Sequence, residues 1–190
     1  MDHVQIVTDD FEKFDVYLRA LGFSELFPHK DHYEGGTGME GAIYSRGAGR
    51  VNVSLLQGID TEDEKSQLTE YTNRFGPFCV QHLAMEVKDV FNTMYRMMDR
   101  GVKFVTPVVE SEDNSGTIRQ AFTYPVAPGG PFFELVERNV TDAKAVTRIH
   151  EKPCSITYSE NSVHTLYNCI QQAIRDGWWF KVDLFGNVYE

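Results

Sequence analysis

The sequence predicts an α+β fold: a single domain of two βαβββ modules with an added C-terminal helix. Three observations carry that reading. Residues 2–23, DHVQIVTDDFEKFDVYLRALGF, lie without gaps over residues 81–102, QHLAMEVKDVFNTMYRMMDRGV, at an offset of 79. Each copy alternates apolar residues, places an acidic residue where a helix should begin, then runs a helical stretch closed by glycine. Beyond the second copy stands an amphipathic stretch with no counterpart in the first.

The overlay pairs His3 with His82, Asp10 with Asp89 and Gly22 with Gly101. In the second copy Val90, Met94, Met97 and Met98 recur at helical spacing, a stripe best read as core packing, and Gly101 is placed to end the helix in a left-handed conformation. Three shorter strand candidates follow each glycine: FSELF, GAIYS and VNVSLL in the first copy, KFVTPV, TIRQAFTY and FFELVE in the second. The first module is expected over residues 1–58 and the second over 79–138. Between them, residues 59–78 hold TEDEKSQLTEYTNRFG, a linking helix expected to be capped by Thr61 with Glu64 three residues on. Residues 139–190 are expected to form a loop, a helix from Ser159 to about Arg175 with Val163, Leu166, Tyr167 and Ile170 on one face, and an aromatic tail. That tail, WWFKVDLFGNVYE, reads equally as a further strand or as a packing clasp.

The composition excludes several function classes. Of 190 residues, 42% are hydrophobic and 13% aromatic, enough to fill a core. Eighteen basic against 28 acidic residues leave a net charge of -10, with no Lys/Arg cluster to follow a phosphate backbone, so nucleic acid is not an expected partner. The same excess repels anions, so an acidic substrate would need a local positive centre such as a metal ion. Cys79, Cys154 and Cys169 are too few and too scattered for a disulfide framework or a C-x-x-C zinc site, which suits a reducing compartment. With no apolar run of membrane length and no signal region before His3, the expectation is a soluble cytoplasmic protein that does not engage a membrane.

Candidate chemistry follows from the repeat. Paired modules of this type each bury one sheet face against the twin, and equivalent positions then converge on a shared cavity. His3 and His82 are such a pair. Near the end of the second module Glu134 interrupts the apolar run P-F-F-E-L-V, and a carboxylate among apolar neighbours is costly to bury unless paired or bound to a metal. Two imidazoles and one carboxylate make the facial triad of non-haem Fe(II), which leaves coordination positions open. The first-module position answering to Glu134 is about Ser54, a poor ligand, so the count stops at three. Against this stands the plain reading of any strand histidine as a satisfied core or surface residue. His29 and His32, in F-P-H-K-D-H, read as a solvated polar loop, and His150 and His164 stand alone.

At these residues the sequence resembles the vicinal oxygen chelate superfamily. Within it, the likeness is to the C-terminal, iron-binding half of 4-hydroxyphenylpyruvate dioxygenase and its sister 4-hydroxymandelate synthase. It runs from His3 to about Gly177 and rests on E-K-S-Q-L-T-E-Y ahead of V-Q-H-L-A-M, on R-Q-A-F-T-Y-P-V leading into P-F-F-E-L-V-E-R, and on N-S-V-H-T-L-Y-N-C-I-Q-Q-A-I-R-D-G. The resemblance implies that His3, His82 and Glu134 ligate iron, that Gln81 and Gln120 line the substrate pocket, and that Phe122 packs on a substrate ring. Tyr158 and Val163 fall where the family places phenylalanines on its lid. Where the family carries a Pro-x-Asn-Glu-Pro pattern that shapes the substrate site, this chain has Ser54, Leu56, Gln57 and Gly58. The family precedes this half with another module pair, so a single catalytic half is expected here.

The activity implied is oxidative decarboxylation of a 2-oxo acid with oxygen insertion, using Fe(II) and O2. The alternative is a divalent-metal isomerase or epimerase using Mn, Co, Ni or Zn as a Lewis acid next to a carbonyl. A metal-free binding protein on the same scaffold is the third reading. Modules of this kind often pair between chains, so a homodimer is an expected form.

Overall fold

The structure, a computed structural model, describes residues 1–32, 36–113, 116–139 and 160–190. It divides into two compact units, His3–Gln81 and Met1–Asp2 with His82–Glu190.

The first unit holds β1 (His3–Thr8), α1 (Phe11–Ala20), β2 (Ser24–His32), β3 (Gly38–Arg46), β4 (Val51–Ile59), α2 (Gln67–Phe75) and the opening residues of β5 (Phe78–Glu86). Its strands run in the order β2-β3-β4-β1, with β1 parallel to β4 and the other pairs antiparallel. The second unit continues β5 and adds α3 (Val90–Met98), β6 (Val109–Asp113), β7 (Gly116–Pro125), β8 (Phe132–Asn139), α4 (Glu160–Arg175) and a 3-10 turn at Trp179–Lys181. Its order is β5-β8-β7-β6, again with the outer pairs antiparallel and β5 parallel to β8. Each unit therefore carries one βαβββ module, as the repeat predicts.

The repeat extends to single hydrogen bonds. Asp10 caps α1 by accepting from Lys13 N at 3.1 Å, and Asp89 caps α3 by accepting from Asn92 N at 2.9 Å. Gly22 and Gly101 end the two helices with φ of +82° and +89°, where a side chain would be strained. The next free helix N–H is satisfied from the last strand of each module. Phe11 N donates to Gln57 Oε1 at 3.0 Å, Gln57 Nε2 to Glu40 Oε1 at 2.8 Å, and Lys30 Nζ to Glu40 Oε2 at 2.6 Å. In the second unit Val90 N donates to Glu137 Oε2 at 2.8 Å, Arg119 Nη1 to Glu137 Oε1 at 3.1 Å, and Arg119 Nε to Glu110 Oε2 at 2.6 Å. The two hydrogen-bond chains have the same order, with charge inverted from Glu40 to Arg119 and from Lys30 to Glu110, and the neutral Gln57 answering to Glu137.

Each module packs its helix on one face of its strands. In the first unit Leu18 meets Ala42, Tyr44, Val53 and Leu55, with Ile6, Phe11, Phe14 and Phe23 around them. In the second, Val90, Ala121 and Leu135 form the centre, with Met94 and Met97 against it. The methionine stripe is thus core for two of its members, while Met98 is exposed.

Three local expectations are corrected, and the open reading of the tail is decided. The linking helix is capped not by Thr61 but by Ser66, whose hydroxyl accepts from Leu68 N while its own N–H is taken by Asp60. Thr61 and Glu64 close a separate turn ahead of it. KFVTPV is not a strand: only Phe104 bridges to Thr123, Pro107 offers no N–H, and the strand is the following VESED. FPHKDH is not a loop but part of β2, an end strand of its module's order, where charged residues and Pro28 are tolerated. The tail is a clasp: Trp179 is buried in the 3-10 turn and Val182 bridges to Val188. Among the described residues no helix is long and apolar enough to cross a membrane.

Candidate metal centre

In the second unit, parallel pairing of β5 with β8 sets Ala84 opposite Glu134, and antiparallel pairing of β7 sets Phe122 opposite it from the other side. Glu134 is only 1% exposed and lies between Phe133 and Leu135 in sequence. Gln120 Nε2 donates to its Oε1 at 2.5 Å, and Oε2 lies 3.1 Å from His82 Nε2. The amide therefore fixes which carboxylate oxygen faces the imidazole. His82 is held from its other side by aromatic packing. Its ring lies 5.0 Å from Phe132, and the buried Trp179 meets Phe132 edge-on at 5.7 Å. The tail clasp thus supports the histidine through one intervening ring.

In the first unit His3 opens β1 and is 1% exposed. Within the second unit, Asp2 N donates to Ala84 O and Arg138 holds the Asp2 carboxylate at 2.8 and 3.2 Å. Two residues after His3, on the same face of β1, Gln5 is also buried. The β1–β4 register sets Gln5 opposite Ser54, as β5–β8 sets Ala84 opposite Glu134. Ser54 is therefore the counterpart of Glu134. Its Oγ donates to Gln5 Oε1 at 3.4 Å. Gln5 Nε2 donates in turn to Gln81 Oε1 at 2.5 Å, and Gln81 Nε2 to Gln67 Oε1 at 3.4 Å.

His3 in the first unit and His82 with Glu134 in the second, the donor set expected from the sequence, are each buried, and each could offer one ligand atom. The donor chemistry fits a divalent cation. Neutral imidazole and carboxylate suit Fe, Mn, Co, Ni and Zn, and a buried carboxylate turned toward an imidazole nitrogen is the pairing that a cation would neutralise. The hydrogen bond from Gln120 is the outer support that metal-ligating carboxylates require.

Of the other expected site residues, Phe122 is buried on β7 and Gln81 is buried within the amide chain. Val163 lies on α4, its side chain outside the described residues, and Tyr158 lies outside them altogether. Sequence reasoning passed over Gln5, Gln67, Phe132 and Trp179. Gln5 could have been found from its place two residues after His3, on the same strand face.

The family model for the glyoxalase/bleomycin resistance protein/dioxygenase superfamily matches residues 2–121. The chain belongs to this superfamily. Its two βαβββ modules are the vicinal oxygen chelate fold expected from the sequence. A variant of 4-hydroxymandelate synthase from Streptomyces coelicolor has the same fold with a TM-score of 0.74 and 19% identity, over 92% of this chain and 54% of that one. Methylmalonyl-CoA epimerase from Mycobacterium tuberculosis gives 0.53 and 24%, over 73% of this chain and 87% of that one. A methylmalonyl-CoA epimerase in complex with methylmalonyl-CoA and ammonium gives 0.53 and 23%, over 75% and 96%. A putative protein of Caenorhabditis elegans is 36% identical over 64 residues, 34% of this chain. The chain spans 18% of the length of that protein and 54% of the synthase. At these identities the solved structures establish the fold, which in this superfamily hosts more than one chemistry.

Proposed function

We propose that the chain is an Fe(II)-dependent dioxygenase acting on a 2-oxo acid of the 4-hydroxyphenylpyruvate kind, with His3, His82 and Glu134 as the iron ligands. The observation that carries the proposal is the ligand count. Ser54 stands at the register position of Glu134 and spends its hydroxyl on Gln5, so the set stops at two imidazoles and one carboxylate. When bound to that set, Fe(II) supplies open positions for a chelating 2-oxo acid and for O2, and the redox chemistry of oxidative decarboxylation.

The protein's own part is positional. Gln120 holds Glu134 with Oε2 toward His82, and Phe132 with Trp179 fixes the imidazole ring. Gln81 and Gln120 orient the substrate through their amides, and Phe122 packs on its apolar body. A chain of net charge -10 repels an anionic substrate, so the metal provides the attraction.

A second reading is a divalent-metal isomerase or epimerase acting next to a carbonyl, with Mn, Co, Ni or Zn; the fold likeness to methylmalonyl-CoA epimerases favours it. One experiment separates the two. Protein purified anaerobically and given Fe(II) is offered a panel of 2-oxo acids including 4-hydroxyphenylpyruvate, with O2 uptake and CO2 release followed together. The dioxygenase reading expects both in step. Proton exchange beside a carbonyl with Mn(II), Co(II), Ni(II) or Zn(II), and no O2 uptake, would replace it with the isomerase.

A further inference from the structure

The tail clasp is organised from its far end. Asp183, itself buried, accepts four hydrogen bonds: Oδ1 from the N–H groups of Phe185 and Asn187, and Oδ2 from the Asn187 amide and the Tyr189 hydroxyl. Gly186 N donates to Asp183 O and Asp183 N to Asn187 O, so the chain reverses tightly around this one side chain. The reversal sets Val188 against Val182 and lets Tyr189 N donate to Lys181 O at 2.7 Å, inside the 3-10 turn that carries Trp179. Lys103 N donates to Leu184 O and fastens the reversal to the segment ahead of β6. Without the Asp183 carboxylate the Phe185 and Asn187 N–H groups lose their acceptor, and the strap across the 3-10 turn loses its anchor.

From Trp179 the contacts run inward, all within the second unit. Its indole meets Phe132 edge-on at 5.7 Å, and both rings are fully buried. Parallel pairing of β5 with β8 sets Phe132 directly opposite His82, with the two rings 5.0 Å apart. The last side-chain torsion of a histidine is broad, so a buried imidazole takes one orientation only where its neighbours leave it one. Phe132 is such a neighbour, and Trp179 is what stops Phe132 from backing away.

We infer that Asp183 and Trp179 are positioning residues for metal binding: Asp183 seats Trp179, Trp179 seats Phe132, and the His82 imidazole is thereby held ready for the ion. The inference rests on the reading of His82 as a metal ligand and on nothing further in the proposed function. A ring already held in place gives up little freedom on binding, whereas a loose ring must be ordered first, which lowers affinity. The tail contributes none of the three proposed ligands, yet it sets how tightly they hold an ion.

The test is run on the full chain, freed of metal. Titration with Co(II) measures affinity, and the visible bands of the bound ion report how its ligands are arranged. The His82 imidazole signals are followed by NMR in the same protein before any metal is added. Trp179→Leu and Asp183→Ala should each weaken Co(II) binding by about tenfold, alter its bands and displace the metal-free His82 signals. Asp183→Asn keeps an acceptor for the Phe185 and Asn187 N–H groups, and Trp179→Phe keeps an edge for Phe132, so each should restore most of the affinity and the parent's bands. Tyr189→Phe removes one donor to Asp183 and should move the His82 signals the same way by less, which keeps the inference open to refutation where the stronger variants do not fold. Parental Co(II) affinity, bands and His82 signals in folded Trp179→Leu and Asp183→Ala make the clasp structural only and overturn the inference. Parental His82 signals in Tyr189→Phe overturn it where those two do not fold. A parent that binds no Co(II) removes His82 as a ligand and the inference with it. Co(II) binding that follows the clasp, with no O2 uptake from any 2-oxo acid on Fe(II) loading, leaves the inference standing and removes the dioxygenase.

Discussion

Ser54 and Glu134 occupy the same register position in two copies of one strand pair, Ser54 opposite Gln5 and Glu134 opposite Ala84. Only the second copy has a carboxylate there. Ser54→Ala should therefore cost the protein only about 1 kcal/mol in urea unfolding, the worth of its bond to Gln5, and leave metal affinity where it was. A Ser54→Ala protein that no longer holds metal would make Ser54 a ligand.

Gln120 touches the Glu134 carboxylate directly, a contact not expected of a pocket-lining glutamine. Gln120→Ala should weaken metal binding by about ten- to a hundredfold, because an unsupported carboxylate can turn away from His82. Competition with a chelating dye measures this. Metal affinity equal to the parent's would assign Gln120 to the substrate alone.

Trp179 is fully buried and packs edge-on against the ring that meets His82. Trp179→Ala should lose about 3–5 kcal/mol of stability, as large aromatic truncations in cores do. Trp179→Phe keeps an edge for Phe132 and should lose less. Denaturant midpoints at constant slope distinguish the two, and equal losses would show that burial rather than the edge contact matters.

Asp183 organises the tail turn, accepting from Asn187 Nδ2 at 2.9 Å, Tyr189 OH at 2.8 Å, and the N–H groups of Phe185 and Asn187 at 2.9 and 3.0 Å. The Asn187 amide first, then Tyr189 and those N–H groups, hold its carboxyl down at about 2 against the ordinary 3.8, although burial opposes them. A depressed carboxyl contributes stability that is complete above 3.8 and lost as pH falls through 2. Both tryptophans, Trp178 and Trp179, adjoin this turn in sequence, so their fluorescence in an acid titration reports it. The turn should hold down to about pH 4 and open below, and Asp183→Asn should remove that transition. The same transition in Asp183→Asn would assign it to another carboxylate.

The sequence made the module repeat legible because its signals are local. Apolar alternation, Asp10 and Asp89 at the caps, and Gly22 and Gly101 at the helix ends all act within a few residues. What it hid was decided across the fold. Ser66 rather than Thr61 caps α2 because Asp60 takes its N–H and Gly38 O receives its hydroxyl, contacts that no capping pattern contains. The shared helix-anchoring chain was invisible because Glu40 and Gln57 in one module answer to Arg119 and Glu137 in the other, a carboxylate replaced by a guanidinium and a neutral amide by a carboxylate. VESED concealed a strand because an end strand needs no apolar alternation. At the candidate site, His3, His82 and Glu134 were readable as buried and paired by repeat. The amide chain from Ser54 to Gln67 was not, since four polar residues on four separate elements announce nothing until the strands register.

The central claim is that His3, His82 and Glu134 together hold one divalent metal ion. It is tested most directly by titrating anaerobic, metal-free protein with Fe(II) and measuring bound metal in the parent and in His3→Ala, His82→Ala and Glu134→Ala. The account expects one equivalent in the parent and affinity lower by at least about a hundredfold in each variant. Metal retained at parental affinity in His3→Ala, with the protein folded, would contradict it.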